Sequence, residues 1–409
     1  QPSIPCASGI AYAAEEGDGI YVLLDLGRET VGYLDIEIDL PAEAEILIGW
    51  GEHTDDLRLR TYVGTRNFAA RYRGKAGHQR FTHFFRRLGL RYVQLFVAAR
   101  AFHLVYAGVL PTDYPLRHSP ALQIADSLHA RIAETCAATL RHCMHEHYED
   151  CPWREQALYA MDSRNQMLCG EYAMPRASLK LLSQSLRTDG MLELCAPARI
   201  PITIPSFTAM FLVELQEYVL YSGDLDFGRE MLPCARAIAD AFCAHVDESG
   251  LIPAYRDQKY WNFYEWQPYL EGYATHERDT ETLRYDAPLN CFVSLGLDRL
   301  AALMSYLGEN GVAYARCAQG LKAAVDARFW DEEAGLYHSF ANSQGQWHEA
   351  ELTQALAAFC GACPERKLDR VLSRLADESL VPVTLAYSIF QFEALLMRPE
   401  KWSRWVFGR

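Results

Sequence analysis

No stretch of this 409-residue chain approaches twenty consecutive apolar residues, so no hydrophobic helix of membrane-spanning length is expected. No secretory leader is visible either. Charge is sparse, at 22% of residues, and cations are the scarcer sign. Thirty-nine Lys and Arg stand against 53 Asp and Glu, a formal net charge of −14. That balance repels phosphates, which argues against a nucleic-acid partner and suits a neutral or cationic ligand. A Walker loop, a dinucleotide-binding glycine fingerprint, an HExxH pair and paired CxxC motifs are all missing. No repeat of fixed period stands out, which disfavours a solenoid.

What is present is a globular composition: half the residues are hydrophobic and 12% are aromatic, with 8 Trp and 23 Tyr. Flat rings suit a sugar-binding cleft, although they also fill large cores. The twelve cysteines, from Cys6 to Cys363, are scattered, mostly inside apolar periodic stretches where a free thiol behaves as a small hydrophobe. A chain of this size needs no disulfide staples, so a reducing, cytoplasmic compartment is expected. The chain opens at Gln1 rather than Met, and a preceding segment is expected.

Two regimes follow one another. From about Gly19 to Leu116, short runs alternate apolar and polar residues: Tyr21–Leu26, Tyr33–Ile38, Glu45–Trp50, Tyr92–Val97 and His103–Tyr106. Gly27, Pro41, Gly51, Gly74 and Gly77 punctuate them as turns. Strands without intervening helices predict an antiparallel β-sandwich over residues 1–117. Beyond Ser119 the period becomes helical, with about eleven windows near 121–145, 153–170, 175–187, 206–222, 225–247, 285–307, 310–329, 350–362, 364–377, 381–397 and 399–409. Residues 118–409 are therefore expected to form a bundle or toroid. A six-hairpin toroid needs twelve helices, so the helix count predicts a truncated C-terminus.

The densest run of reactive side chains lies between His142 and Asp162. Pro152 favours a helix start, with Asp150 placed to accept its first amide protons. In a helix over 153–170, Glu155, Tyr159 and Asp162 would share one face. Two carboxylates and a ring, opening from a loop with Asp150, Trp153 and Arg154, make a plausible sugar site. Glycoside hydrolysis needs one carboxyl held protonated to donate to the leaving oxygen and a second to activate water. Spacing alone equally allows ordinary helix-capping acids paired with Arg154.

The block Asp150-Cys151-Pro152-Trp153-Arg154-Glu155-Gln156-Ala157-Leu158-Tyr159-Ala160-Met161-Asp162 resembles the signature of the α-L-rhamnosidases of glycoside hydrolase family 78. Asp25-Leu26-Gly27-Arg28 with Val31-Gly32-Tyr33, Pro205-Ser206-Phe207, Tyr221-Ser222-Gly223-Asp224 and Trp261-Asn262-Phe263-Tyr264-Glu265-Trp266 agree with it. The resemblance implies a six-hairpin α/α barrel, the (α/α)6 fold, preceded by β-sandwich domains, and an inverting mechanism. It makes Glu155 the general acid and places Asp150, Arg154 and Asp162 on the rhamnose hydroxyls. Tyr159 stands where the family usually has Trp, and Glu265 where Asp is common. Trp261 and Trp266 resemble rings bordering the sugar pocket. The family's general base, a Glu after the eleventh helix, is expected beyond Arg409. Glu155 is then expected to have a raised pKa, from burial or from Asp150 and Asp162, with Arg154 facing Asp150 or the sugar.

The implied substrate is a rhamnose-containing glycoside or oligosaccharide, with no nucleic-acid or membrane partner and no cofactor or metal. A homodimer stays open. Loops 249–283 and 330–350 are expected to shape specificity. Alternatives are a six-hairpin glycosidase of other sugar specificity and a non-catalytic carbohydrate-binding protein. His142, His145 and His147 with Cys143 and Cys151 suggest zinc only weakly. The CxxC of Cys360 and Cys363 reads as loop packing between helices. Arg86, Arg87 and Arg91 read as a solvated face.

Overall fold

The computed structural model describes residues 8–116, 123–169, 173–198, 200–272 and 283–408. They fall into two compact units, one ending at Ala157 and the other beginning at Leu158.

The first unit carries β1 (Ile10–Ala13), β2 (Ile20–Leu40) and β3 (Ala44–Gly51). Two short ribbons follow, β4 (Thr54–Asp55) with β5 (Arg58–Leu59) and β6 (Tyr62–Val63) with β7 (Arg66–Asn67). Then come β8 (Ala69–Gly74), β9 (Gly77–Val97) and β10 (Ala101–Pro111). One antiparallel sheet runs in the order β1-β10-β2-β9-β3-β8. Its two long strands belong to both halves. Ile38 of β2 lies opposite Leu104 of β10 and Gln79 of β9, whereas Ile20 lies opposite Val97, which also pairs with Ile46 of β3. One hydrophobic core takes residues from both halves, Ile36 and Leu104 along with Ile48 and Leu95.

The runs Tyr21–Leu26 and Tyr33–Ile38 are therefore one strand. Gly27 is not a turn: it sits at φ +81° where the pairing with β9 shifts register between Asp25 and Thr30. Its conformation absorbs the extra residues without reversing the chain. The solvated face expected for the arginines is instead a set of specific pairs. Arg87 binds the buried carboxylate of Glu149, Arg91 grips Asp25 with two bonds of 2.9 Å, and Arg86 stacks 4.8 Å from the Trp50 ring centroid. Helix α1 (Ser127–His142) also belongs to this unit, capped by Asp126, which accepts the Leu128 and His129 amides at 3.0 and 2.9 Å.

Among its described residues the second unit contains ten further helices. These are α2 (Ala160–Leu168), α3 (Ala173–Ser183), α4 (Pro205–Ser222), α5 (Leu225–His245), α6 (Ala287–Tyr306), α7 (Val312–Phe329), α8 (Glu351–Phe359), α9 (Glu365–Leu375), α10 (Ser388–Leu395) and α11 (Pro399–Gly408). A 3-10 turn, Leu385–Tyr387, leads into α10. Each helical window predicted from sequence holds one helix. Alternate helices form a row in which α2 packs on α4, α4 on α6, α6 on α8 and α8 on α10. Those in the middle of the row are buried all round, as in Ala287–Leu297 of α6 and Glu351–Ala358 of α8. The intervening α9 buries a stripe, Leu368, Val371, Leu372 and Leu375, together with Lys367, and exposes its other charged residues. Boundaries follow predicted signals: Pro205 opens α4, Gly223 ends it at φ +73°, and Asp224 caps α5 by accepting the Phe227 amide at 3.0 Å.

Candidate active site

The block Asp150–Asp162 is split by the division at Ala157/Leu158, and its first part is not helical. Residues 152–155 form turns, Gln156 adopts φ +56°, and α2 starts only at Ala160. The expected helix over 153–170 and its shared face are thus corrected. The reason lies in Asp150. Its amide donates to Ala157 O, and its Oδ1 accepts the Ala157 amide, both at 2.9 Å. This closes a loop rather than capping a helix.

The sheet holds that loop. Trp153 packs 4.8 Å from Phe68 and edge-on to His53, and Gln156 Nε2 donates to Pro152 O at 2.6 Å and Arg87 O at 3.3 Å. Gly89 of β9 lies so close that a Cβ there would sit 2.3 Å from Pro152 O. The unit boundary expected at 117 and the division seen at 157 differ because these contacts pin residues 149–157 to the sheet.

Within the loop, Asp150 is the perturbed acid. Burial pushes its carboxyl up to about 6, the neighbouring Glu155 charge adds to this, and the Ala157 amide and Cys151 thiol oppose it. Cys151 Sγ donates to Asp150 Oδ2 at 3.0 Å. Glu155 is partly exposed and flanked by cations: Arg66 at 3.3 Å and Arg154 at 3.9 Å. The expectation that Arg154 turns away from Glu155 is therefore corrected. Arg154 also acts on Glu52, whose carboxyl is raised by burial.

The remaining predicted site residues lie in the second unit, where a chain of rings gathers most of them. Tyr159, at the start of α2, stands edge-on to Phe207 at 6.3 Å, and Phe207 to Phe263 at 5.9 Å. Phe263 meets Trp261 at 5.2 Å and Trp266 at 4.8 Å, and the two tryptophans are 5.9 Å apart. Backbone and side-chain bonds fix this segment: the Trp261 amide to Thr203 O, Ser206 Oγ to Phe263 O, both 2.8 Å, and the Tyr264 hydroxyl to Asp286 at 2.7 Å.

Glu265 is fully buried among them. Its Oε1 accepts the Thr384 hydroxyl at 2.5 Å and the Trp266 amide at 3.2 Å, and its Oε2 the Thr384 amide at 3.2 Å. Burial still prevails over these bonds and pushes the carboxyl up to about 7. Burial, together with the charges of Glu265 and Asp162, raises the pKa of the Tyr387 hydroxyl. Trp266 is thus an exposed ring beside the buried, hydrogen-bonded carboxyl of Glu265.

Phe207, Phe263, Thr384 and Tyr387 were not singled out in the sequence. Phe207 and Phe263 fall inside quoted motifs. Thr384 is 119 residues from Glu265, and no spacing rule joins them. Of the histidines, His145 Nε2 is 3.3 Å from Thr112 O, and His147 Nδ1 is 2.7 Å from Tyr148 O. Cys360 and Cys363 are buried free thiols at the turn between α8 and α9. Part of loop 249–283 lies outside the described residues.

The bacterial α-L-rhamnosidase six-hairpin glycosidase domain matches residues 120–379. The chain belongs to this family. Among solved structures, the GH78 rhamnosidase of Bacillus sp. GL1 superposes with a TM-score of 0.88 at 23% identity, over 97% of this chain and 42% of that one. The rhamnosidase from Klebsiella oxytoca, with rhamnose bound, gives 0.77 at 20% identity over 97% and 80%. The α-L-rhamnosidase from Aspergillus terreus gives 0.68 at 18% over 96% and 46%. The chain thus spans less than half the length of the Bacillus rhamnosidase. These likenesses establish a shared rhamnosidase fold. No curated protein matches the chain.

Proposed function

We propose that this chain is a glycoside hydrolase that removes terminal α-L-rhamnose from glycosides with inversion of configuration. The observation that carries the reading is the block Asp150–Asp162 inside a chain of the rhamnosidase six-hairpin family. In this reading residues 118–409 are the (α/α)6 catalytic domain, the row from α2 to α10 is its inner ring, and residues 1–117 are a β-sandwich. Its scattered cysteines suit a cytoplasmic setting.

Glu155 protonates the glycosidic oxygen as the C1–O bond breaks, and water attacks C1 from the opposite face. Inverting enzymes set the two carboxyls roughly 6.5–9.5 Å apart to admit that water. A second carboxylate, the general base, takes the proton of that water. Asp150, Arg154, Asp162 and Glu265 take the ring hydroxyls, and Tyr159, Trp261 and Trp266 border the sugar. Hydrolysis of a panel of aryl glycosides tests the reading: turnover of the α-L-rhamnoside above all others is expected, and equal or exclusive turnover of another sugar would overturn it.

A further inference from the structure

The ribbon of β6 and β7 meets the loop that carries the candidate acid, and both belong to the first unit. Gly64 and Thr65, at φ +52° and +68°, form the turn of the ribbon, where Val63 pairs with Arg66 and Tyr62 with Asn67. The Phe68 amide extends the pairing by donating to Thr61 O at 2.7 Å. Two further bonds fix the ribbon to the sheet: the Trp50 amide of β3 donates to Phe68 O at 3.1 Å, and Arg86 Nη2 of β9 to Asn67 O at 2.9 Å. Alternation along the chain puts Arg66 and Phe68 on one side. Phe68, buried, packs on Trp153, and Arg66 reaches Glu155. Two contacts, two residues apart on each partner, dock the loop on the ribbon in one register.

Arg66 Nη1 donates to Gly64 O at 3.3 Å, which braces the guanidinium against its own turn, and Nη2 lies 3.3 Å from Glu155 Oε1. Arg154 approaches the same oxygen at 3.9 Å. A guanidinium only donates, whereas a protonated carboxyl has one oxygen that donates and one that accepts. The accepting oxygen is then Oε1, and the proton to be given away belongs on Oε2. Negative charge that develops on the carboxyl as this proton leaves is met by a cation already in place.

We propose that Arg66 is a positioning residue for Glu155: it holds Oε1, so that Oε2 delivers the proton to the glycosidic oxygen as that oxygen takes the electron pair of the breaking C1–O bond. This rests on the reading of Glu155 as the acid. It gives the sheet unit a part in the reaction itself.

The test is kcat and KM on two aryl α-L-rhamnosides, one with a poor and one with a good leaving group. The proteins compared are the wild type, Arg66→Ala, Arg66→Lys, Glu155→Gln and the double variant Arg66→Ala/Glu155→Gln. Because the pair is partly exposed, Arg66→Ala is expected to lose only about tenfold in kcat on the poor leaving group, with KM and the good leaving group nearly unchanged. Arg66→Lys should recover part of that loss. In the Glu155→Gln background, replacing Arg66 should change nothing further, because the two residues act as a unit. Full kcat in Arg66→Ala, equal losses on both leaving groups, or an additive loss in the double variant overturns the role. Undiminished hydrolysis by Glu155→Gln overturns the acid reading and the role of Arg66 with it, whereas a loss confined to Glu155→Gln overturns the role of Arg66 alone. If the wild type hydrolyses another glycoside and not the rhamnosides, the rhamnose reading fails, and the same variants on that glycoside still decide Arg66. If the wild type hydrolyses no glycoside, both are overturned.

Discussion

Replacing Glu214 by Gln separates burial from function in the helical unit. Glu214 lies on α4 with no exposed surface; its Oε2 accepts the Ser163 hydroxyl at 2.7 Å, and its Oε1 has no hydrogen-bond partner. The nearby guanidinium of Arg164 is already committed to Glu217 through two bonds of 2.8 Å, with Glu393 a further 3.8 Å away. One cation therefore serves three carboxyls. Burial, with the charge of Glu217, pushes the Glu214 carboxyl up to about 8 against an ordinary value of 4.5. The folded state holds this proton when the unfolded state has released it. Stability from this group is accordingly complete below pH 4.5 and is lost as pH rises to about 8.

Each pH unit across that window is worth about 1.4 kcal/mol. From pH 5 to 8 the wild type should thus lose roughly 3–4 kcal/mol relative to Glu214→Gln, whose amide cannot titrate. Urea unfolding followed by helical circular dichroism, on both proteins at pH 5, 6.5 and 8, measures the gap. A gap that stays constant with pH would falsify the protonated, buried state of Glu214.

Other substitutions read other parts of the structure. Gly89→Ala forces a methyl into the Pro152 carbonyl and should cost about 1–3 kcal/mol in thermal unfolding; an unchanged melting temperature would show that the loop at 150–157 yields freely. Arg87→Ala removes the guanidinium that binds the buried Glu149 carboxylate and should destabilise by about 3–5 kcal/mol, whereas removal of the exposed pair Arg91 and Asp25 should change the melting temperature far less. Thr384→Val removes the hydroxyl that lowers the Glu265 pKa, so any sugar affinity that depends on ionised Glu265 should shift its pH dependence upward from about 7. A pH profile identical to that of the wild type would free Glu265 from that role.

The helical half was the more legible in sequence, because helices such as α4 and α6 are long and apolar, and Pro205, Gly223 and Asp224 mark the bounds of α4 and the start of α5. The sheet was less so. The first part of β9 carries polar and exposed residues on both faces, including Phe84 and Phe85, and so gives no alternation to read. Gly27 looked like a turn because a positive-φ glycine serves a bulge as well as a reversal. The signature block was found but given the wrong local structure. Pro152 and the acids after it imitate a helix start, while the Asp150–Ala157 pairing and Gln156 at φ +56° are tertiary facts. Thr384 was invisible because only the fold brings it to Glu265.

The central claim is that Glu155 is the acid of an α-L-rhamnoside hydrolase. The most direct measurement is kcat/KM of the wild type and of Glu155→Gln on two aryl α-L-rhamnosides, one with a good and one with a poor leaving group. The account predicts a loss of about 100- to 10,000-fold on the poor leaving group and a much smaller loss on the good one, which departs without protonation. Equal losses on both substrates, or undiminished hydrolysis by the variant, would contradict it.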